Sequence, residues 1–89
     1  MPDAQIVELI TNRQTTHGRY GVQAEMAQKM KGIFQDAPNW DHLSAAQKES
    51  LHMISVKIAR ILCGNPRCID HGVDISGYAT LAADELGRD

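Results

Sequence analysis

The sequence predicts an all-α fold, a compact four-helix bundle-like domain built around a central antiparallel helical hairpin. Three observations predict it. Apolar residues Ile54, Ile58, Ile61 and Leu62 recur at helical spacing, and Val73, Ala79, Leu81, Ala82 and Leu86 supply a second such stripe. Between them lies Cys63-Gly64-Asn65-Pro66-Arg67-Cys68, where Gly64 is placed to end one helix and Pro66 forbids its continuation. Aromatic residues make up only 4% of the chain, so the core must come from Leu, Ile, Val, Met and Ala, which suits helix packing better than a sandwich or barrel.

In chain order, Asp3 is a good N-cap for a first helix from Ala4 to about Arg13, whose buried side would be Ile6, Val7, Leu9 and Ile10. Residues 14–21 have no periodicity and two glycines, and the spacing predicts a loop there. Within it His17, Arg19 and Tyr20 sit between Gly18 and Gly21 or beside them. Either this loop carries binding residues, or Tyr20 packs on the core while His17 caps a helix end. A second helix runs from about Val22 to Gln35, with Val22, Met26, Met30, Ile33 and Phe34 as its apolar stripe, Ala27 suited to close contact and Glu25–Lys29 as a solvated pair.

Residues 36–43 form the longest irregular segment, with Trp40 and Leu43 plugging one end of the core. Ser44 and Gln47 make a capping box that starts a third helix, about Ala45 to Cys63. The fourth helix runs from about Asp70 to Leu86. It contains Gly72 and Gly77, each costing about 1 kcal/mol relative to Ala, which implies a close approach by a helix or a ligand. Gly87-Arg88-Asp89 is a frayed tail.

The 89 residues make a single domain, 1–89, small enough that a homodimer would help it. A net charge of −2 and a pI near 6.0 argue against general nucleic-acid binding. No apolar run is long enough to span a membrane and no signal-peptide pattern opens the chain, so the expected compartment is the cytoplasm. Cys63, Cys68 and His71 make a Cys-x4-Cys-x2-His cluster. Structural zinc takes four ligands, and free thiols are the preferred account.

The charges of the hairpin carry the functional question. Counting from a turn centred near Asn65, Lys57 falls opposite Asp74 and Arg60 opposite Asp70. Such a lattice is either a structural clamp or a site. As a site, Asp70 and Asp74 are candidate ligands for a divalent cation, and Lys57 and Arg60 would address phosphate oxygens, Arg through its bidentate fork. A phosphate-binding cluster organised by Asp is favoured over a strong metal site.

Two segments also resemble a known family. Thr16-His17-Gly18-Arg19-Tyr20-Gly21 resembles the His-Gly-x-Tyr/Phe opening of a small phage and prophage family catalogued as a domain of unknown function. Met53-Ile54-Ser55-Val56-Lys57-Ile58-Ala59-Arg60-Ile61, Gly64-Asn65-Pro66, and Asp70 with Asp74-Ile75-Ser76-Gly77-Tyr78-Ala79 are similar to its second half. More distantly the chain resembles phage nucleotide-modification-associated domains and MazG-like all-α nucleoside triphosphate pyrophosphohydrolases. Those enzymes are usually oligomeric and use Mg²⁺ on Glu/Asp clusters. The resemblance implies Asp70 and Asp74 as the acidic helix, Lys57 and Arg60 as the basic positions before it, and His17, Tyr20 and Tyr78 as ligand contacts. The chain departs from the MazG pattern in having Gln28, not Glu, three residues after Glu25.

The expected function is therefore binding of a nucleotide or other phosphorylated small molecule by a cytoplasmic homodimer, with Mg²⁺-dependent pyrophosphohydrolysis as its enzymatic form. The alternatives are a phage accessory module that binds a host protein, with Lys57, Arg60, Asp70 and Asp74 all consumed in mutual ion pairs, and a nucleotide sponge that does not hydrolyse.

Overall fold

The computed structural model describes residues 3–88, which form four helices and, among the described residues, no strand. Helix α1 spans Ala4–His17, α2 Tyr20–Gln35, α3 Ala45–Cys63 and α4 Ile69–Gly87, with a 3-10 turn at Trp40–His42. The all-α bundle and its α3–α4 hairpin are as the periodicity predicts. No helix among the described residues is long and apolar enough to cross a membrane.

Local chemistry sets most boundaries. The Asp3 carboxylate accepts from the Ile6 N–H at 3.0 Å and opens α1. At the start of α3 the Ser44 hydroxyl accepts from the Gln47 N–H at 3.1 Å while the Gln47 side chain accepts from the Ser44 N–H at 2.9 Å, the expected capping box. The expected loop over 14–21 is the main departure: α1 continues to His17 and α2 begins at Tyr20, leaving only Gly18 and Arg19 between them. Gly18, at φ +83°, turns the chain alone. The last turn of α1 is held by tertiary bonds, which apolar periodicity does not report. At the other end Gly87 is helical and Arg88 pairs with Asp84 at 3.2 Å; the rest of the expected frayed tail, Asp89, lies outside the described residues.

Helix α3 is the spine, with α4 packed along one side and α2 along the other. Ala27 on α2 and Ala59 on α3 are the only buried apolar residues among those described, and their small side chains suit close helix packing. The other buried residues are polar: Gln23, Ser50, Ser55, Lys57 and His71. Phe34 and Trp40 stack loosely at 6.4 Å between centroids, and Lys48 lies over the Trp40 ring, so Trp40 covers one end of the α2–α3 pair.

Several expected core stripes face outward. Ile6, Val7, Leu9 and Ile10 are exposed because α1 projects from the bundle, and residues 3–14 are exposed throughout. Val22, Met26 and Ile33 are exposed because the α2 face toward α3 is centred on Gln23 and Ala27. On α4, Val73 and Leu81 are exposed, while His71 is buried and Asp74, Ile75, Tyr78 and Ala82 are half-buried. Gly72 and Gly77 face open space, for an added Cβ would meet nothing within 4 Å, so no close approach within the chain explains them.

The close approach occurs elsewhere. A Cβ on Gly18 would overlap the Cys63 carbonyl, and one on Gly64 would overlap the backbone of Thr16 and His17. Gly64 does end α3, but at φ −117°; its lack of a side chain is needed for proximity, not for a left-handed turn.

Candidate functional site

The crossing of the two turns fixes the site. The Thr16 carbonyl, freed at the end of α1, accepts from the Asn65 N–H at 2.9 Å. It also accepts from His71 Nε2 at 3.2 Å. A carbonyl can only accept, so Nε2 carries a proton and the His71 ring is locked in place, 2% exposed. The His17 ring lies against it, 5.2 Å between centroids and inclined by 54°. Cys63 and Cys68 are both free thiols, and His71 Nε2 is engaged by the Thr16 carbonyl.

Of the two expected cross-hairpin pairs, one forms. Lys57 Nζ lies 2.9 Å from Asp74 Oδ2, with the Lys57 side chain only 11% exposed and that of Asp74 43%. The donated hydrogen bond and charge of Lys57, aided by His71 and Arg60, hold the Asp74 carboxyl below its ordinary range despite partial desolvation. Arg60 does not meet Asp70. Arg60 swings toward α2 instead, where its Nε donates to Gln23 Oε1 at 3.2 Å. Asp70 is left exposed in the first turn of α4, a favourable place for a carboxylate.

Arg60 thereby borders a hollow of about 320 Å³ whose walls include Ile10, Arg13, His17, Gly18, Tyr20 and Gln23. Three basic side chains line it and no carboxylate does. Arg60 makes no ion pair among the described residues, and its anchored Nε leaves both terminal amino groups for a ligand. Desolvation depresses the His17 pKa below its ordinary 6.5, and the nearby charges of Arg60, His71, Lys57 and Arg13 depress it further. Arg13 and Arg60 give the hollow a positive potential.

The expected ligand residues divide. His17, Tyr20 and Arg60 share the hollow, with Tyr20 strongly exposed and therefore not packed on the core. Lys57 lies behind, held by Asp74, and adds field without lining the hollow. Tyr78 is elsewhere, in a shallower depression with Val73, Asp74, Gly77 and Leu81. As a magnesium site, Asp70 and Asp74 fit poorly: Lys57 already holds Asp74, and no group of three or more His, Cys, Asp or Glu gathers among the described residues. Glu25 makes the expected solvated pair with Lys29 at 3.4 Å.

Arg13, Gln23 and Ile10 are site residues that sequence reasoning missed. The signal for Arg13 was its i, i+4 relation to His17, visible only if α1 is carried past residue 13. Comparison with family models, with curated proteins and with solved structures gives no match to this chain.

Proposed function

We propose that this chain binds the phosphate groups of a nucleotide or another phosphorylated small molecule in the hollow between α1, α2 and α3. The observation that carries the reading is the convergence of Arg13, His17 and Arg60 on one concavity without a carboxylate. Arg60, steadied by Gln23, would present its fork to two phosphate oxygens. Arg13 would neutralise a second oxygen pair, and the exposed Tyr20 ring at the rim would offer a face for a base. Binding alone needs no cation. The enzymatic form, a Mg²⁺-dependent pyrophosphohydrolase, would require Asp74 to exchange Lys57 for the metal, and no catalytic step is assigned to it.

Calorimetric titration with inorganic pyrophosphate and with nucleoside triphosphates tests the reading. Uptake of at least one of these is expected, and Arg60→Gln should weaken it about 10–100-fold, the loss of a charge-assisted pair, with the helical circular dichroism kept. No uptake of any of them would sink the proposal. Uptake without Mg²⁺ and without product release marks a sponge; Mg²⁺-dependent release of pyrophosphate marks the hydrolase. A second reading, a module that binds a host protein, draws support from the exposed apolar side chains of α1, α2 and α4. It predicts a flat calorimetric response.

A further inference from the structure

Among the described residues the apolar stripe of α1 is only about half covered, and it runs directly into the hollow. Ile6, Leu9, Ile10, Arg13 and His17 succeed one another along one face at helical spacing, and Ile10, Arg13 and His17 also line the anion hollow. The first four apolar side chains of α1 are each about half exposed, from 47% for Val7 to 53% for Leu9. An isolated amphipathic helix of 14 residues is marginal in water and owes its stability to burial of its apolar face. Something must cover this one.

The dimensions of the molecule indicate what. A folded monomer of 9.8 kDa is expected to expose about 5,200 Å², and this chain exposes 6519 Å². Its radius of gyration is 15.2 Å, against about 12 Å for a compact domain of this length. The excess, about 1,300 Å², exceeds the roughly 800 Å² that each partner contributes to a standard stable interface. An 89-residue chain with only Ala27 and Ala59 buried among its described apolar residues lacks a sufficient core of its own. A second copy brings the same excess of apolar surface, and a twofold pairing satisfies both deficits at once.

We propose that two copies of this chain pair so that each buries the α1 stripe of the other, and that the partner thereby adds a wall to each anion hollow. The second half rests on the phosphate-binding reading. Because Ile10 and Arg13 belong to both the stripe and the hollow, a partner seated on Ile6, Leu9 and Ile10 necessarily borders the bound anion. Exclusion of water there strengthens the attraction of Arg13 and Arg60 for it.

Size-exclusion chromatography with light scattering, at two protein concentrations, tests the pairing in the wild type, Leu9→Glu and Ile6→Lys. Both substitutions fall on exposed positions, so circular dichroism should show the helices of the single chain intact. The wild type should have twice the mass of the chain and both variants the mass of one. Titration with pyrophosphate should then show about ten-fold weaker uptake by Leu9→Glu, although Leu9 does not line the hollow. A wild type that is monomeric at both concentrations, or variants that stay dimeric, would overturn the pairing. Variants that become monomeric with unchanged pyrophosphate affinity would overturn the shared wall. A dimer split by Leu9→Glu in a protein that takes up no pyrophosphate upholds the pairing and overturns the reading of the hollow.

Discussion

His17 sits where the electrostatics of the site can be read by titration. Its pKa is lowered in the fold, by desolvation first and then by the cations around it, so between that value and 6.5 the unfolded chain binds more protons than the folded one. The stability it contributes is complete above pH 6.5 and is lost as the pH falls toward the folded pKa. A bound anion acts in the opposite sense, since it offsets the surrounding cations and raises the pKa. Sulfate keeps its charge over this range and is the clean probe. The His17 ring proton resonance should titrate below 6.5 in the free protein and move upward in sulfate, with tighter sulfate binding at pH 6 than at pH 7. A lowered midpoint that sulfate leaves unmoved would place the anion away from His17. Lys57 and Asp74 give a second residue-scale prediction. The ammonium is the deeper partner, so Asp74→Asn strands a buried charge while Lys57→Met removes it. Chemical denaturation should find Asp74→Asn the less stable of the two; the reverse order would mean that Asp74, not Lys57, bears the desolvation. Asp74 is also held below 3.8, so the stability of the pair is present above that pH and lost as the pH falls through the folded value.

Among the elements, the crossing of the α1–α2 turn over the α3–α4 turn decides whether a site exists. Gly18 and Gly64 let two backbones approach until Thr16 can bond both Asn65 and His71. A methyl group at Gly64 would overlap the Thr16 carbonyl, so Gly64→Ala should cost about 1–3 kcal/mol, and each kcal/mol should lower Tm by about 4–8 °C in a domain of this size. Gly77→Ala is the control. Its added Cβ meets nothing in the chain, and it should be neutral or stabilising by up to about 1 kcal/mol. Thermal melts of both variants below the dimerisation concentration check the pair. This crossing also explains what the sequence made legible. The ends of α3 follow from Ser44, Gln47 and Gly64, and the facing of Lys57 and Asp74 follows from counting out from the turn, because both are local. The continuation of α1 to His17 is not local. It depends on bonds to residues 49 and 55 positions further along, and a polar Gln-Thr-Thr run carries no apolar period to announce it. Missing that turn of helix hid Arg13, which shares a face with His17 only if the helix is unbroken. Arg60 is expected to face Asp70, but its side chain reaches α2 and donates to Gln23, a tertiary choice that counting from the turn does not reveal.

At the scale of the whole molecule, the α1 stripe predicted as core and parts of the α2 and α4 stripes lie on the surface, while Ile54, Ile58 and Ile61 of α3 are half-buried. Period alone shows that a helix has an apolar face; it does not show whether the face is met by the same chain or by another. Here α3 packs closely on α4 and α2 and touches α1 far less, so the expected buried set Ile6, Val7, Leu9 and Ile10 becomes a half-exposed one. If a second copy covers it, folding and association are one equilibrium, and the midpoint of unfolding must depend on protein concentration. A tenfold rise in protomer concentration adds about 1.4 kcal/mol per dimer. For two chains of this length that is about 3–6 °C in Tm. Differential scanning calorimetry across a hundredfold range should show this rise in the wild type and in Arg60→Gln, which alters the hollow but not the apolar stripe. Leu9→Glu should melt at a lower temperature that does not change with concentration. A wild-type Tm that is flat over the range would show that the α1 face needs no second copy to hold it.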